Sequence, residues 1–214
     1  QLDLTLFGVE PALAMDAWVT PLITEWFAFF YYSYFVIVAV HLFGIVFASR
    51  NQRRLGEFAM GIALCYCLGH VGYMLVPGYG PVRALADQFQ HPLPSGVWAN
   101  LVMGTVAAGG SQLDIFPSLH TAAPSFITLY SFRHRAAVPF RYTWPVVGFF
   151  AVNIIIATMY LRWHWVIDVA AGLAVATFAV WVSARAIDWE RRRREAAGLP
   201  PNWPLFGDRA ATGG

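Results

Sequence analysis

Long apolar runs alternate along the chain with short polar joints that carry arginine. Five runs read as membrane spans, at about 30–48, 58–76, 117–132, 144–161 and 165–182. They sit at the short end of the roughly 17–25 residues that a bilayer core requires, and flanking aromatics extend several of them. Trp26, Tyr31, Tyr32, Tyr73, Trp144, Tyr160, Trp163 and Trp165 gather near the run ends, where an interfacial aromatic belt lies. The pattern therefore predicts an all-α integral membrane helical bundle. Pro117 suits a first helical turn, whereas Pro124 predicts a bend in the third span.

Two stretches depart from the pattern. Segment 97–109 is apolar but short, with Asn100, Gly104 and Thr105 inside it. It reads as a helix lying at the outer interface, because a crossing there would split the arginine clusters between the two sides. Residues 1–29 carry Asp3, Glu10, Asp16, Pro11 and Pro21 among apolar positions and read as an outer interfacial segment. The expected organisation is then that segment, a transmembrane catalytic domain over 30–186 with an outer loop at 77–116, and a cytoplasmic tail over 187–214.

Composition supports the membrane reading. Of 214 residues, 58% are hydrophobic and 12% charged, against about a quarter charged in a soluble domain. Too little polar surface remains to coat a soluble globule. All basic residues are arginine, and most fall in clusters: Arg50, Arg53 and Arg54, then Arg133, Arg135 and Arg141, then Arg185 and Arg191 to Arg194. With five spans these clusters fall on one side, which the positive-inside rule makes cytoplasmic. Because the basic residues track that face, nucleic-acid binding has no support. Cys65 and Cys67 are two apart in an apolar run and point to different helix faces, so they make neither a disulfide framework nor a metal site.

The topology then gathers chemistry. His120 begins the third span and His164 the fifth; two crossings separate them, so both lie at the same end whatever the orientation. Arg83 lies in the outer loop GYGPVRAL, and Asp168 stands four residues after His164, on the same helix face. Ionisable groups at the edge of a bilayer core are costly unless paired or facing a wet cavity. Taken singly, each has an ordinary structural explanation, and His41 and His70 are left with theirs, His70 being the nearer to the outer end. Taken together, four groups from independent segments favour a site. His164 with Asp168 makes a base or nucleophile held in one tautomer, and His120 a second imidazole able to act as general acid. Arg83 offers a planar fork for phosphate oxygens, with Arg162 as a second clamp, and the amides near Ser118 add donors for an anion. Nucleophile, acid and anion clamp describe phosphoryl transfer without a metal or other cofactor.

At these residues the chain resembles the type-2 phosphatidate phosphatase superfamily, whose motifs are K-x6-R-P, P-S-G-H and S-R-x5-H-x3-D. Pro117-Ser118-Leu119-His120 matches the second motif with leucine for glycine, and His164 to Asp168 matches H-x3-D. The first motif survives as Gly80-Pro81-Val82-Arg83 with Val76 in the lysine position, and Ala157-Thr158 replaces the S-R pair. F-P-S-L-H, G-P-x-R and Y-L-x-x-H-W-x-x-D-V-x-x-G are similar to the branch of inositolphosphorylceramide synthases and their bacterial relatives. The resemblance implies a six-helix core with one helix upstream of Gln1, in a bacterial cytoplasmic membrane with an extracytoplasmic active site. It further implies a phosphohistidine at His164, oriented by Asp168, with His120 protonating the leaving oxygen and Arg83 and Ser118 holding the phosphate. The substrate is then a lipid phosphate or phospholipid headgroup, and the acceptor is water or an alcohol. Competing readings are a non-catalytic lipid carrier or scaffold, and a metallohydrolase using His70, His120, His164 and Asp168.

Overall fold

A computed structural model describes residues 2–109, 113–203 and 205, and among these the regular elements are helices with no strand. In chain order they are α1 (Leu2–Phe7), α2 (Pro11–Ala14), a 3-10 turn (Met15–Trp18), α3 (Pro21–Ala48), α4 (Gln52–Leu75), α5 (Pro81–Ala84), a 3-10 turn (Ala86–Gln88), α6 (Val97–Gly109), α7 (Leu119–Arg133), α8 (Phe140–Tyr160) and α9 (Val166–Ala196). The molecule is a helical membrane bundle.

Local chemistry explains where the helices outrun the apolar pattern. α3 starts at Pro21 rather than near 30, because Thr20 is extended and its hydroxyl accepts from the Ile23 amide at 3.3 Å, with proline at the first helical position. Asn51 caps α4 in the same way through the Arg54 amide at 3.0 Å. α9 runs past 182 to Ala196, carrying the ERRRRE run as a helical extension.

Four helices, α3, α4, α8 and α9, are long and apolar enough to cross a membrane. The remaining predicted span, α7, has only 15 residues, about 22 Å at 1.5 Å per residue. It packs against α3, α4, α8 and α9, and ten of its side chains, from Leu119 to Ser131, are buried. Apart from Leu129, Phe132 and Arg133 towards its C-terminal end, the helix meets protein rather than lipid, so it can carry Ser, Thr and Pro that a lipid-facing span tolerates less well. Phe58, Phe126, Ile127 and Ile154 form the centre of the core around it. α6 has the bounds expected of the short apolar segment, and it is fastened to α3. There Glu25 accepts from the Trp98 and Ala99 amides at 3.1 and 2.9 Å, a carboxylate at a helix N-terminus.

The arginine-rich end is knotted by charge. Glu57 of α4 is buried and meets Arg53 at 2.9 Å and His134 at 2.8 Å, while Arg53 also reaches Asp188 of α9 at 2.8 Å. From Val166 to Asp188, α9 rises about 33 Å at 1.5 Å per residue, close to the ~30 Å of a bilayer's hydrocarbon core. His120 and His164, at the starts of α7 and α9, lie at the opposite end of the bundle from this knot.

Candidate active site

The turn between α8 and α9 builds half of the site. α8 ends at Tyr160, and Arg162 then takes φ 68°, a left-handed conformation unusual for a residue with a side chain. The amides of Trp163 and His164 fold back onto the Thr158 carbonyl at 3.0 and 3.1 Å, leaving His164 just ahead of α9. At the start of α9, Asp168 accepts from the Trp165 amide at 2.8 Å, and Asp3 of α1 accepts from the Val166 amide at 2.7 Å. His164 and Asp168 are both buried, and His164 Nδ1 lies 3.6 Å from Asp168 Oδ2, an ion-pair distance longer than a hydrogen bond.

α7 supplies the other half, and backbone contact locks it to the first. The Ser118 amide donates to the Asp168 carbonyl at 3.0 Å. Gly172, the last residue of the DVAAG stretch, allows this approach, since a Cβ there meets the Ser118 carbonyl at 2.6 Å. On the other flank, Gly72 and Gly69 of α4 receive Pro117 and Leu119; a Cβ on Gly69 meets Leu119 Cδ2 at 2.4 Å. The leucine that replaces the motif glycine thus sits in a notch cut by a glycine on the neighbouring helix.

His120 is sandwiched between Tyr31 and Tyr34 of α3, each with ring centroids 4.2 Å away, the first nearly parallel at 16°. Its ring lies 6.3 Å from that of His164. Among the described residues, His120 Nε2 and His164 Nδ1 are buried without a hydrogen-bond partner, which is uncommon for polar atoms inside a protein. Both rings line a cavity of about 310 Å³ together with Tyr31, Tyr34, Tyr73, Arg83 and Asp114. Arg83 itself is exposed, with its guanidinium 5.1 Å from the centre of the Tyr79 ring. Gly80 brings that loop against the α8–α9 turn, where the Val82 amide donates to the Arg162 carbonyl at 2.8 Å.

His120, His164, Asp168 and Arg83 therefore converge, whereas two other sequence candidates have different occupations. Ser118 is fully buried and its hydroxyl caps α7 by accepting from the Thr121 amide at 3.3 Å. The Arg162 side chain is absent from the cavity wall and turns to Asp16 at 2.7 Å and the His91 carbonyl at 2.6 Å, over the Phe89 ring at 3.8 Å. His41 and His70 each return Nδ1 to a carbonyl of their own helix, at 2.8 and 2.7 Å, outside this wall. Among the described residues no group of three or more His, Cys, Asp or Glu is arranged to hold a metal.

Sequence reasoning missed the tyrosine sandwich and the Asp16 knot. Tyr31 and Tyr34 stand three apart, the spacing that puts them on one helix face. Arg162, outside every arginine cluster, was the signal that a distant carboxylate must accompany it. Burial pushes the Asp16 carboxyl up, but the amides of Gln90 and His91, the His91 ring and the Arg162 guanidinium outweigh it and hold the carboxyl below its ordinary value. A depressed carboxylate stabilises the fold above its unfolded pKa, and that contribution is lost as pH falls through the folded pKa. Limited proteolysis of the 77–116 loop is therefore expected to accelerate below about pH 3.9, and Asp16→Asn to show that acceleration already at neutral pH. Equal protection of both proteins at neutral pH contradicts the assignment.

Fold and site define a polytopic helical membrane protein with a histidine pair, a carboxylate and an arginine at one end of its bundle. The family model of the PAP2 superfamily matches residues 4–182, and the chain belongs to that superfamily. Neither a curated protein nor a solved structure gives a significant match. Membership makes the chain a phosphatase-type membrane protein and an enzyme in broad class.

Proposed function

We propose that the protein is a membrane lipid phosphatase or headgroup phosphotransferase, acting on a lipid phosphate or phospholipid headgroup at the extracytoplasmic face through a phosphohistidine. The observation that carries this reading is the placement of the His120 and His164 rings, 6.3 Å apart, on one cavity wall with Arg83, with His120 Nε2 buried and unpartnered among the described residues. His164 Nδ1 faces Asp168, so Nε2 is the nucleophile. Its lone pair attacks phosphorus while the bond from phosphorus to the lipid oxygen breaks, and the departing oxygen takes a proton from His120. Asp168 offsets the positive charge that the imidazole acquires. His120, now neutral, accepts the proton of an incoming water or alcohol as that oxygen displaces the phosphohistidine nitrogen. Arg83 holds the non-bridging oxygens as they gain charge.

Ser118 and Arg162 act in this reading by position, the first by starting α7 and the second by fixing the turn that carries His164. The similarity of F-P-S-L-H and H-W-x-x-D to inositolphosphotransferases favours an alcohol acceptor over water. The test is turnover by the full chain in vesicles on a panel of lipid phosphates, diphosphates and phosphodiesters. Chelator is present throughout, with and without inositol or other alcohols. The expected result is chelator-insensitive release or transfer of the phosphoryl group. No turnover on any substrate supports a lipid carrier instead, and activity lost to chelator and restored by zinc supports a metallohydrolase; either outcome overturns the proposal.

A further inference from the structure

A second groove lies at the other end of the bundle, on the outside of α7 and α9. A groove of about 770 Å³ runs there between Leu129, Phe132, Thr177, Val180 and Trp181 on its apolar side and Arg133, Arg135 and Arg185 on its polar side. Its large apolar members are exposed: Leu129 38%, Phe132 42% and Trp181 53%. The three arginines are not equivalent. Arg133 lies 3.5 Å from Glu57, inside the charged knot, and Asp188 at the groove's end is held by Arg53. Arg135 and Arg185 have no carboxylate partner among the described residues. Each instead lies over an aromatic ring of the groove, Arg135 over Phe132 at 4.1 Å and Arg185 over Trp181 at 4.3 Å, and one Arg135 terminal nitrogen also donates to the Phe132 carbonyl at 3.0 Å.

We infer that this groove holds an anionic phospholipid. The side chains match the two parts of such a molecule. An exposed apolar trough along α7 and α9 accommodates an acyl chain, and at its arginine-rich end two guanidiniums stand without carboxylates to neutralise them. Stacking on an aromatic ring fixes a guanidinium and uses its face, leaving donors at its edge for phosphate oxygens. The position fits as well. Arg185 follows Val166 by 19 residues of α9, about 28 Å at 1.5 Å per residue, so it lies at headgroup depth in the leaflet opposite the histidine site. A zwitterionic lipid fills the trough equally well but leaves the arginine charge uncompensated, and a soluble acidic protein has no use for a trough that faces the bilayer. The occupant is therefore distinguished by charge.

The test uses the full chain in phosphatidylcholine vesicles containing a minor share of phosphatidylglycerol, with bromine placed on the acyl chains of one lipid or the other. Bromine quenches tryptophan only in near contact, and the Trp181 contribution is the difference between the wild type and Trp181→Phe. At equal mole fraction, brominated phosphatidylglycerol is expected to quench that contribution roughly thirtyfold more effectively, given about one kcal/mol for each of the two arginines near an anionic surface. Arg135→Gln with Arg185→Gln removes the preference, while Arg192→Gln with Arg193→Gln, in the exposed helical extension, leaves it intact. Equal quenching of the wild type by both lipids overturns the inference without any variant. So does a preference that survives the Arg135/Arg185 double substitution or disappears with the Arg192/Arg193 one. None of these readouts depends on the chemistry at His164, so the two proposals fail independently.

Discussion

His164→Ala is expected to lower turnover by at least about 10⁴-fold while leaving the fold in place. Loss of a residue that acts as the covalent partner removes the whole reaction path rather than a fraction of its stabilisation. The backbone tolerates the change because the turn is held by amides rather than by the imidazole. Asp168 keeps its bond from the Trp165 amide at 2.8 Å, and the Ser118 amide keeps the Asp168 carbonyl at 3.0 Å. The variant should therefore show wild-type helicity and thermal stability within about 1 kcal/mol. Full turnover by His164→Ala would falsify the nucleophile assignment. Asp168→Asn is the informative companion: it retains the nucleophile and the cap but loses the charge that balances the imidazolium, so its activity should fall between the two.

Gly80→Ala should inactivate from outside the catalytic set. A Cβ at Gly80 lies 2.2 Å from the Trp163 carbonyl oxygen and 3.0 Å from its carbon, a collision with backbone that no side-chain rotation relieves. The turn it meets cannot retreat. The Arg162 carbonyl already accepts from the Val82 amide, and the Arg162 guanidinium is held by Asp16 and His91. The loop that carries Arg83 must swing away instead. A displacement of about 1 Å between a substrate clamp and the reacting centre costs on the order of 10²-fold in rate, and the overpacking itself destabilises by roughly 1–3 kcal/mol. Measured as kcat/KM and unfolding midpoint, Gly80→Ala should lose both. Gly104→Ala is the matched control, because a Cβ there meets nothing within 4 Å. Equal behaviour of the two variants would remove the close approach from the account.

The convergence of His120, His164 and Arg83 was legible because it required only a count of crossings, whereas Asp168 was expected beside His164 on one helix face and instead meets it from the first turn of α9, with His164 in the turn ahead of that helix. What the other candidates do was not legible, for physical reasons. Ser118 carries the hydroxyl an anion site wants, but a serine ahead of a helix is also its natural cap, and the amide of Thr121 takes that hydroxyl. Arg162 stands two residues from His164, yet the left-handed turn at its own φ of 68° directs its side chain to Asp16, 146 residues away. No local pattern encodes a pairing of that separation. The shortness of α7 was visible in its apolar run at 117–132, but the packing that permits it was not. Apolar length does not reveal packing, and apart from Leu129, Phe132 and Arg133 the helix is covered by α3, α4, α8 and α9. The leucine of FPSLH looked like a departure from a motif until Gly69, on another helix, supplied the space for it.

The central claim is the covalent intermediate at His164, and it is tested most directly by trapping. The full chain in vesicles is mixed with a lipid phosphate labelled on phosphorus, quenched in alkali, and cut at arginine. Cleavage after Arg162 and Arg185 releases residues 163–185, in which His164 is the sole histidine. The account predicts label in that fragment, stable to alkali, lost in acid and absent from His164→Ala. Turnover with no label there, or with label on another residue, contradicts it.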